Sequence, residues 1–154
     1  MPDGSFDRSA LDLLNSCTCQ NLRQATRVVT QYYEQALEPT GLKITQLPVL
    51  AAAATMGPIP MSQLADALVM DRTTLTRNLQ PLERAGLVKV APGSDRRARM
   101  VTATEKGLEG LNTALPLWKQ AQLDMVETLG RFKWGVLMDN LRATVDATRK
   151  APAN

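Results

Sequence analysis

Apolar residues recur along this chain at two spacings. Intervals of three and four mark helices, and alternation marks strands. Leu22, Ala25, Val29, Tyr32 and Ala36 share one helical face. That face predicts a first long helix beginning near Ser9, where Asp12 makes a variant of the capping box. The helix should stop at Glu38-Pro39-Thr40-Gly41, because proline withholds a donor and glycine permits the turn. Residues 1–8 read as a frayed end.

A second helix runs through Leu47, Val49, Leu50 and Ala54, with Thr45 as its expected cap. Met56-Gly57-Pro58-Ile59-Pro60 reads as a breaker cluster. A short helix follows over about 61–68, and Val69-Met70 makes a tight turn. Asp71 is a strong N-cap for a helix from Arg72 to about Ala85, with Gly86 just past its end. Leu75, Leu79 and Leu82 form the apolar stripe of that helix. Thr73, Thr74, Thr76, Arg77, Asn78 and Gln80 form its polar face. The pattern then changes period. Residues 87–91 and 99–103 read as two strands joined by the loop 92–98. Thr104 caps a long helix through Leu108, Leu111, Leu115, Trp118, Ala121, Met125 and Leu129, with a kink or break expected at Pro116. A last helix after Gly130 carries Trp134, Leu137, Leu141 and Val145 on one face, and residues 150–154 read as a disordered tail.

Charge matters here because of where it lies. The chain of 154 residues has a net charge of +3. Residues 71–107 hold eight basic side chains (Arg72, Arg77, Arg84, Lys89, Arg96, Arg97, Arg99 and Lys106) against four acidic ones, a local excess of +4. The remainder is slightly acidic. A confined basic excess suits a phosphate-facing surface. The chain has no histidine, which removes Ser-His-Asp and Cys-His catalysis, histidine-ligated metals and an imidazole switch. No Gly-rich phosphate loop or metal-ligand set stands out, so no enzyme activity, cofactor or metal is expected. No apolar run is long enough to span a membrane, and the first residues do not read as a signal peptide. Cys17 and Cys19, two apart, do not make a disulfide scaffold, and a reducing cytoplasm is the expected compartment.

Short helix, tight turn, polar-faced helix and basic two-stranded hairpin, in that order, describe a winged helix-turn-helix. The physics fits double-stranded DNA. A helix enters the major groove and presents its first turns to bases and phosphates. Arg72, Thr73, Thr74, Thr76, Arg77 and Asn78 are the candidate contacts. Arg77 can grip guanine O6 and N7 with both arms of its fork, or clamp a phosphate. At the hairpin tip, Arg96 or Arg97 can enter a minor groove, where the potential is most negative, with Asp95 organising its neighbour. The competing reading is a winged-helix module used for protein contacts without specific DNA binding. It gives no reason for charge to gather on the wing.

The chain also resembles the MarR-type transcriptional regulators. The likeness rests on Gly41-Leu42-Lys43-Ile44-Thr45-Gln46-Leu47-Pro48-Val49-Leu50 and Met61-Ser62-Gln63-Leu64-Ala65. It continues through Asp71-Arg72-Thr73-Thr74-Leu75-Thr76-Arg77 and Leu82-Glu83-Arg84-Ala85-Gly86-Leu87-Val88. It ends with Asp95-Arg96-Arg97 leading to Thr102-Ala103-Thr104-Glu105-Lys106-Gly107. The wing with its following Thr-x-x-Gly is the most specific piece. The resemblance implies a mainly α single domain over 1–154 with a small β-hairpin wing. A DNA-binding lobe would occupy 45–103, and helices over 9–40 and 104–149 would interleave with those of a second copy. It further implies a repressor that binds a pseudopalindrome as a homodimer, with Thr73, Thr74, Thr76 and Arg77 on the recognition helix and Arg97 as the wing arginine. The apolar faces agree: Leu14, Leu22 and Val29, then Leu111, Leu115 and Trp118, then Leu137, Leu141 and Val145, exceed what one small core needs.

Regulators of this type often bind small aromatic acids between the DNA lobe and the dimer helices. Arg23 and Arg27 could hold a carboxylate, and Tyr32, Tyr33 and Trp118 could cover a ring. Arginines four apart are equally a solvated helix face, and Tyr32 and Trp118 equally core. Thiol-sensing members oxidise a cysteine near the first helix, which makes Cys17 and Cys19 candidates for an oxidant or a soft metal. Residues two apart on a helix diverge, however, and small buried packing residues are the plainer reading.

Overall fold

Between Leu14 and Thr18 the chain leaves the helix that its apolar spacing predicts. The computed structural model, which describes residues 8–94 and 98–150, has two helices here, α1 (Arg8–Leu14) and α2 (Thr18–Leu37). Cys17 is extended, with φ −62° and ψ 115°. Asn15, Ser16 and Cys17 donate their amides three residues back instead of four, which tightens and ends α1. The Asn21 side chain then donates to the carbonyls of Asn15 and Cys17, at 3.0 and 2.9 Å. A local side chain thus satisfies the Asn15 carbonyl, which a continuous helix would have bonded to the Cys19 amide, while the Cys17 carbonyl also takes the Asn21 amide at 3.0 Å. α1 already includes Arg8, so Ser9, the expected start, lies within the helix.

After α2 a 3-10 turn, Glu38–Thr40, ends the helix at the Pro-Thr-Gly sequence as expected. The helix α3 (Leu47–Met56) is not capped by Thr45. Gln46 holds the N-cap position, and its side chain accepts from the Lys43 amide at 3.0 Å. Next come α4 (Met61–Ala67), α5 (Arg72–Arg84), β2 (Val88–Pro92) and β3 (Arg99–Ala103). The breaker cluster ends α3, but it also supplies a strand that periodicity does not reveal. β1 (Ile59–Pro60) pairs antiparallel with β3, Ile59 opposite Val101, so the wing is a three-stranded sheet in the order β1-β3-β2. Two residues cannot show alternation, and buried Ile59 earns its place by tertiary contact.

One core lies under α5. Leu75, Leu79 and Leu82 of α5 meet Leu50 and Ala53 of α3, Leu64 of α4, and Val88 and Val101 of the sheet. Leu37 of α2 and Leu111 and Ala114 of α6 (Glu105–Leu129) close it. Leu111 and half-buried Trp118 therefore belong to the chain's own core and not to its surplus apolar surface. Pro116 does not interrupt α6. It removes the N–H that would bond the Asn112 carbonyl, but Asn112 is exposed to water, while packing on both sides of the proline holds the helix. The last helix, α7 (Arg131–Lys150), packs against α6. Tyr33, buried on α2, donates to the Gln122 side chain at 2.7 Å, and Tyr32 donates to the Ala121 carbonyl at 3.2 Å. These two bonds tie α2 to α6. Burial and the neighbouring Tyr32 push the Tyr33 hydroxyl pKa up.

The turn between α4 and α5 holds a strained residue. Val69 has φ +55°, a left-handed conformation that a β-branched side chain rarely adopts, and its side chain is exposed. Hydrogen bonds from Val69 to Asp66 and from Met70 to Ala65 fix the turn. Replacing Val69 with glycine is expected to stabilise the protein. Relief of about 1–2 kcal/mol of strain exceeds the roughly 0.5–1 kcal/mol of added chain entropy. A calorimetric midpoint higher by about 2 °C is expected; a lower midpoint would show that the turn is unstrained.

Candidate nucleic-acid interface

The start of α5 is built by Asp71. Its carboxylate accepts from the Thr74 amide at 2.8 Å and from the Thr74 hydroxyl at 2.6 Å. These bonds, the hydroxyl's first, hold the Asp71 carboxyl below the usual carboxylate range. Its stabilisation is therefore complete above the ordinary carboxylate pKa and is lost only as pH falls through the lowered value. The end of α5 is equally defined. Gly86, at φ +73°, donates to the Glu83 carbonyl, and Leu87 donates to the Leu82 carbonyl at 2.8 Å, which is the Schellman pattern. Cap, stripe and stop all match the sequence reading.

The polar face of α5 divides once its hydrogen bonds are traced. Three groups are used within the helix. The Thr74 hydroxyl donates to Asp71, the Thr76 hydroxyl to the Arg72 carbonyl at 2.8 Å, and the Asn78 amide to the Thr74 carbonyl at 3.0 Å. Arg72, Thr73, Arg77 and Gln80 are exposed. Arg72 sits at the first turn, beside a cleft of about 350 Å³. Arg99 of β3 and Ser62 of α4 line the same cleft, with Asp66 as its one carboxylate among the described residues. Sequence reading did not single out Arg99 or Ser62 as contacts. The signal for Arg99 was its place at the open end of a strand, in line with the basic loop.

Two exposed basic side chains of the central segment also hold backbone carbonyls. The Lys106 ammonium donates to the Ala85 carbonyl at 2.8 Å, and the Arg84 side chain donates to the Gln80 carbonyl at 3.3 Å. Asp95, Arg96 and Arg97 lie outside the described residues.

The residues considered for a small-molecule site do not converge. Arg23 and Arg27 line a groove of about 670 Å³ between α2 and α7, together with Cys19, Leu22, Val145 and the threonines 18, 26, 144 and 148. Tyr32 borders a different groove against α6, and Trp118 packs on the core. Cys17 is half-buried in the extended break, while Cys19 is exposed on the first turn of α2. The two cysteines therefore do not both sit on a regular helix. Among the described residues no group of three or more metal-ligating side chains comes together, and no helix is long and apolar enough to cross a membrane.

A lobe of this shape matches known regulators. The family model for the MarR family matches residues 40–98. The uncharacterized HTH-type transcriptional regulator YwoH of Bacillus subtilis (strain 168) is 29% identical over 108 residues, covering 68% of this chain and 79% of YwoH. The M. tuberculosis transcriptional regulator MosR, in a crystal structure with DNA, is 38% identical. The match covers 86% of this chain and 98% of that one, with a TM-score of 0.73. The transcriptional repressor CouR, bound to a 23-mer DNA duplex, is 25% identical over 86% of this chain and 95% of its own, with a TM-score of 0.76. With this identity and coverage, and with the winged lobe in place, the chain belongs to the MarR family of DNA-binding transcriptional regulators.

Proposed function

We propose that this regulator is a repressor that binds a pseudopalindromic operator as a homodimer, one winged lobe per half-site. The observation that carries the reading is the exposed row Arg72, Thr73 and Arg77 on a helix fixed at both ends, beside Arg99 of the wing. The relatives crystallised with DNA support the contact, and the description of CouR as a repressor supports its direction. Residues 45–103 form the DNA lobe. Thr74, Thr76 and Asn78 contribute through hydroxyl and amide oxygens that still accept, and Arg96 and Arg97 reach the minor groove from the wing with Asp95 as organiser.

The homodimer is supported by apolar surface outside the lobe. α7 carries two apolar rows. Trp134, Met138 and Leu141 are half-buried, whereas Phe132, Val136, Leu137 and Val145 are exposed. Leu11, Leu13 and Leu14 on α1, Val28 and Val29 on α2, and Leu115 and Leu123 on α6 are exposed as well. Exposed apolar side chains on these helices support an interface there. Helices over 9–40 and 104–149 would supply it, and a two-fold axis would set the lobes about 34 Å apart along DNA. Release is assigned to a small organic anion, with Arg23 and Arg27 as its cations, or to thiol chemistry at Cys17 and Cys19. Tyr32 and Trp118 take no part at that groove.

Selection of bound fragments from a random duplex pool tests the reading. A pseudopalindrome with half-sites one helical turn apart, bound about a thousandfold more tightly than random DNA, is the expected result. Weak, sequence-blind binding would replace this reading with a protein-contact module. On the selected operator, Arg77→Ala is expected to cost about 1–3 kcal/mol and to relax preference at one base pair. A uniform loss over all sequences would instead make Arg77 a phosphate contact.

A further inference from the structure

Thr104, Lys106 and Gly107 lie in the stretch that follows the wing, and the DNA reading leaves them unexplained. Their bonds run to three consecutive carbonyls at the end of the recognition helix. The Lys106 ammonium donates to Ala85 O at 2.8 Å, the Thr104 hydroxyl to Gly86 O at 2.6 Å, and the Thr104 amide to Leu87 O at 3.0 Å. The same hydroxyl accepts from the Gly107 amide at 3.0 Å, so it caps α6 while it holds the corner after α5. Gly107 is buried, and a Cβ there would lie 2.1 Å from Leu87 O and 3.0 Å from Leu87 C. That clearance is too small for any side chain, so α6 and the α5–β2 corner meet backbone to backbone.

We infer that Thr104 and Lys106 are positioning residues: they weld α5 to the first turn of α6, so that α6 fixes the distance between the two recognition helices. The proposal rests on the paired-lobe reading above. The 25 residues of α6 span roughly 37 Å, from the DNA lobe to the helices assigned to the partner contact. With the weld intact, α5 cannot swivel without moving α6. With the weld loosened, each lobe keeps its own contacts but the pair tolerates half-sites at other separations.

The test uses the full-length protein and the selected operator, with its central spacer lengthened or shortened by one and two base pairs. Each base pair turns a half-site by about 36°. Three variants separate the roles. Thr104→Ser keeps the donor and the cap. Thr104→Asp keeps a good helix cap but has no proton to give Gly86 O. Lys106→Met removes only the bond to Ala85 O from an exposed side chain.

The wild type and Thr104→Ser are expected to prefer the native spacing by about tenfold or more, the equivalent of one or two net hydrogen bonds. Thr104→Asp and Lys106→Met are expected to bring that ratio to within about threefold, with dimer mass and half-site sequence preference unchanged. A wild-type ratio in both variants overturns the weld while leaving the paired reading standing. If Thr104→Asp does not fold, Lys106→Met decides by the same ratio. A wild type indifferent to spacing overturns the paired reading, and the role of the weld with it.

Discussion

Replacing Leu75 with alanine is expected to lower the unfolding free energy by about 2–5 kcal/mol. Leu75 is fully enclosed, and it is the first of the three leucines that hold α5 to the lobe. A helix of 13 residues is marginal in water on its own. Its position therefore depends on Leu75, Leu79 and Leu82 filling the space above α3, α4 and the sheet. Truncation removes apolar contact and leaves a void that backbone elements on several sides cannot close. Urea unfolding at one fixed protein concentration measures the effect, since subunit association would otherwise shift the midpoint. Leu108→Ala is the control. Leu108 is exposed, and its loss is expected to change stability by less than about 0.5 kcal/mol. Equal losses in the two variants would mean that α5 is not seated as described.

The second large effect is expected from Leu137→Glu. Leu137 lies in the outward row of α7, so a lone chain would accept a carboxylate there without strain. In an interface the same carboxylate would be buried without a partner, which is strongly unfavourable. Sedimentation should report a particle near 16.8 kDa instead of one twice as heavy, with helix content unchanged. Operator affinity should fall by about 10²–10⁴, because the second half-site is no longer tethered to the first. A variant that stays dimeric at micromolar concentration would place the interface elsewhere.

The parts of the fold that were legible in advance share one property. Their determinants lie within a few residues of each other. Asp71 with Thr74 begins α5, and Gly86 with Leu87 ends it. Thr104 with Gly107 begins α6, and alternation marks β2 and β3. Other parts depart from the sequence pattern, mostly where a longer contact intervenes. Asn21 reaches back six residues to Asn15 and breaks the predicted first helix. Gln46 takes the N-cap position expected of Thr45. Ile59 becomes a strand because Val101, far along the chain, offers an edge. Pro116 stays within α6 because helix packing outweighs one missing bond.

The candidate site shows the same division. The sequence by itself determined that a polar-faced, capped helix follows a short one and precedes a basic hairpin, because periodicity, caps and charge are local. Only the tertiary structure decided which of those polar groups are free. It bonds the Lys106 ammonium to Ala85 O, sets Arg99 on the same cleft as Arg72, and sends Arg23 and Tyr32 to different grooves. It likewise draws Leu111 and Trp118 into the core, leaving Leu115 and Leu137 outside. A side chain's type is written in the chain, but its partner is chosen by whichever backbone groups folding brings within hydrogen-bonding or van der Waals reach.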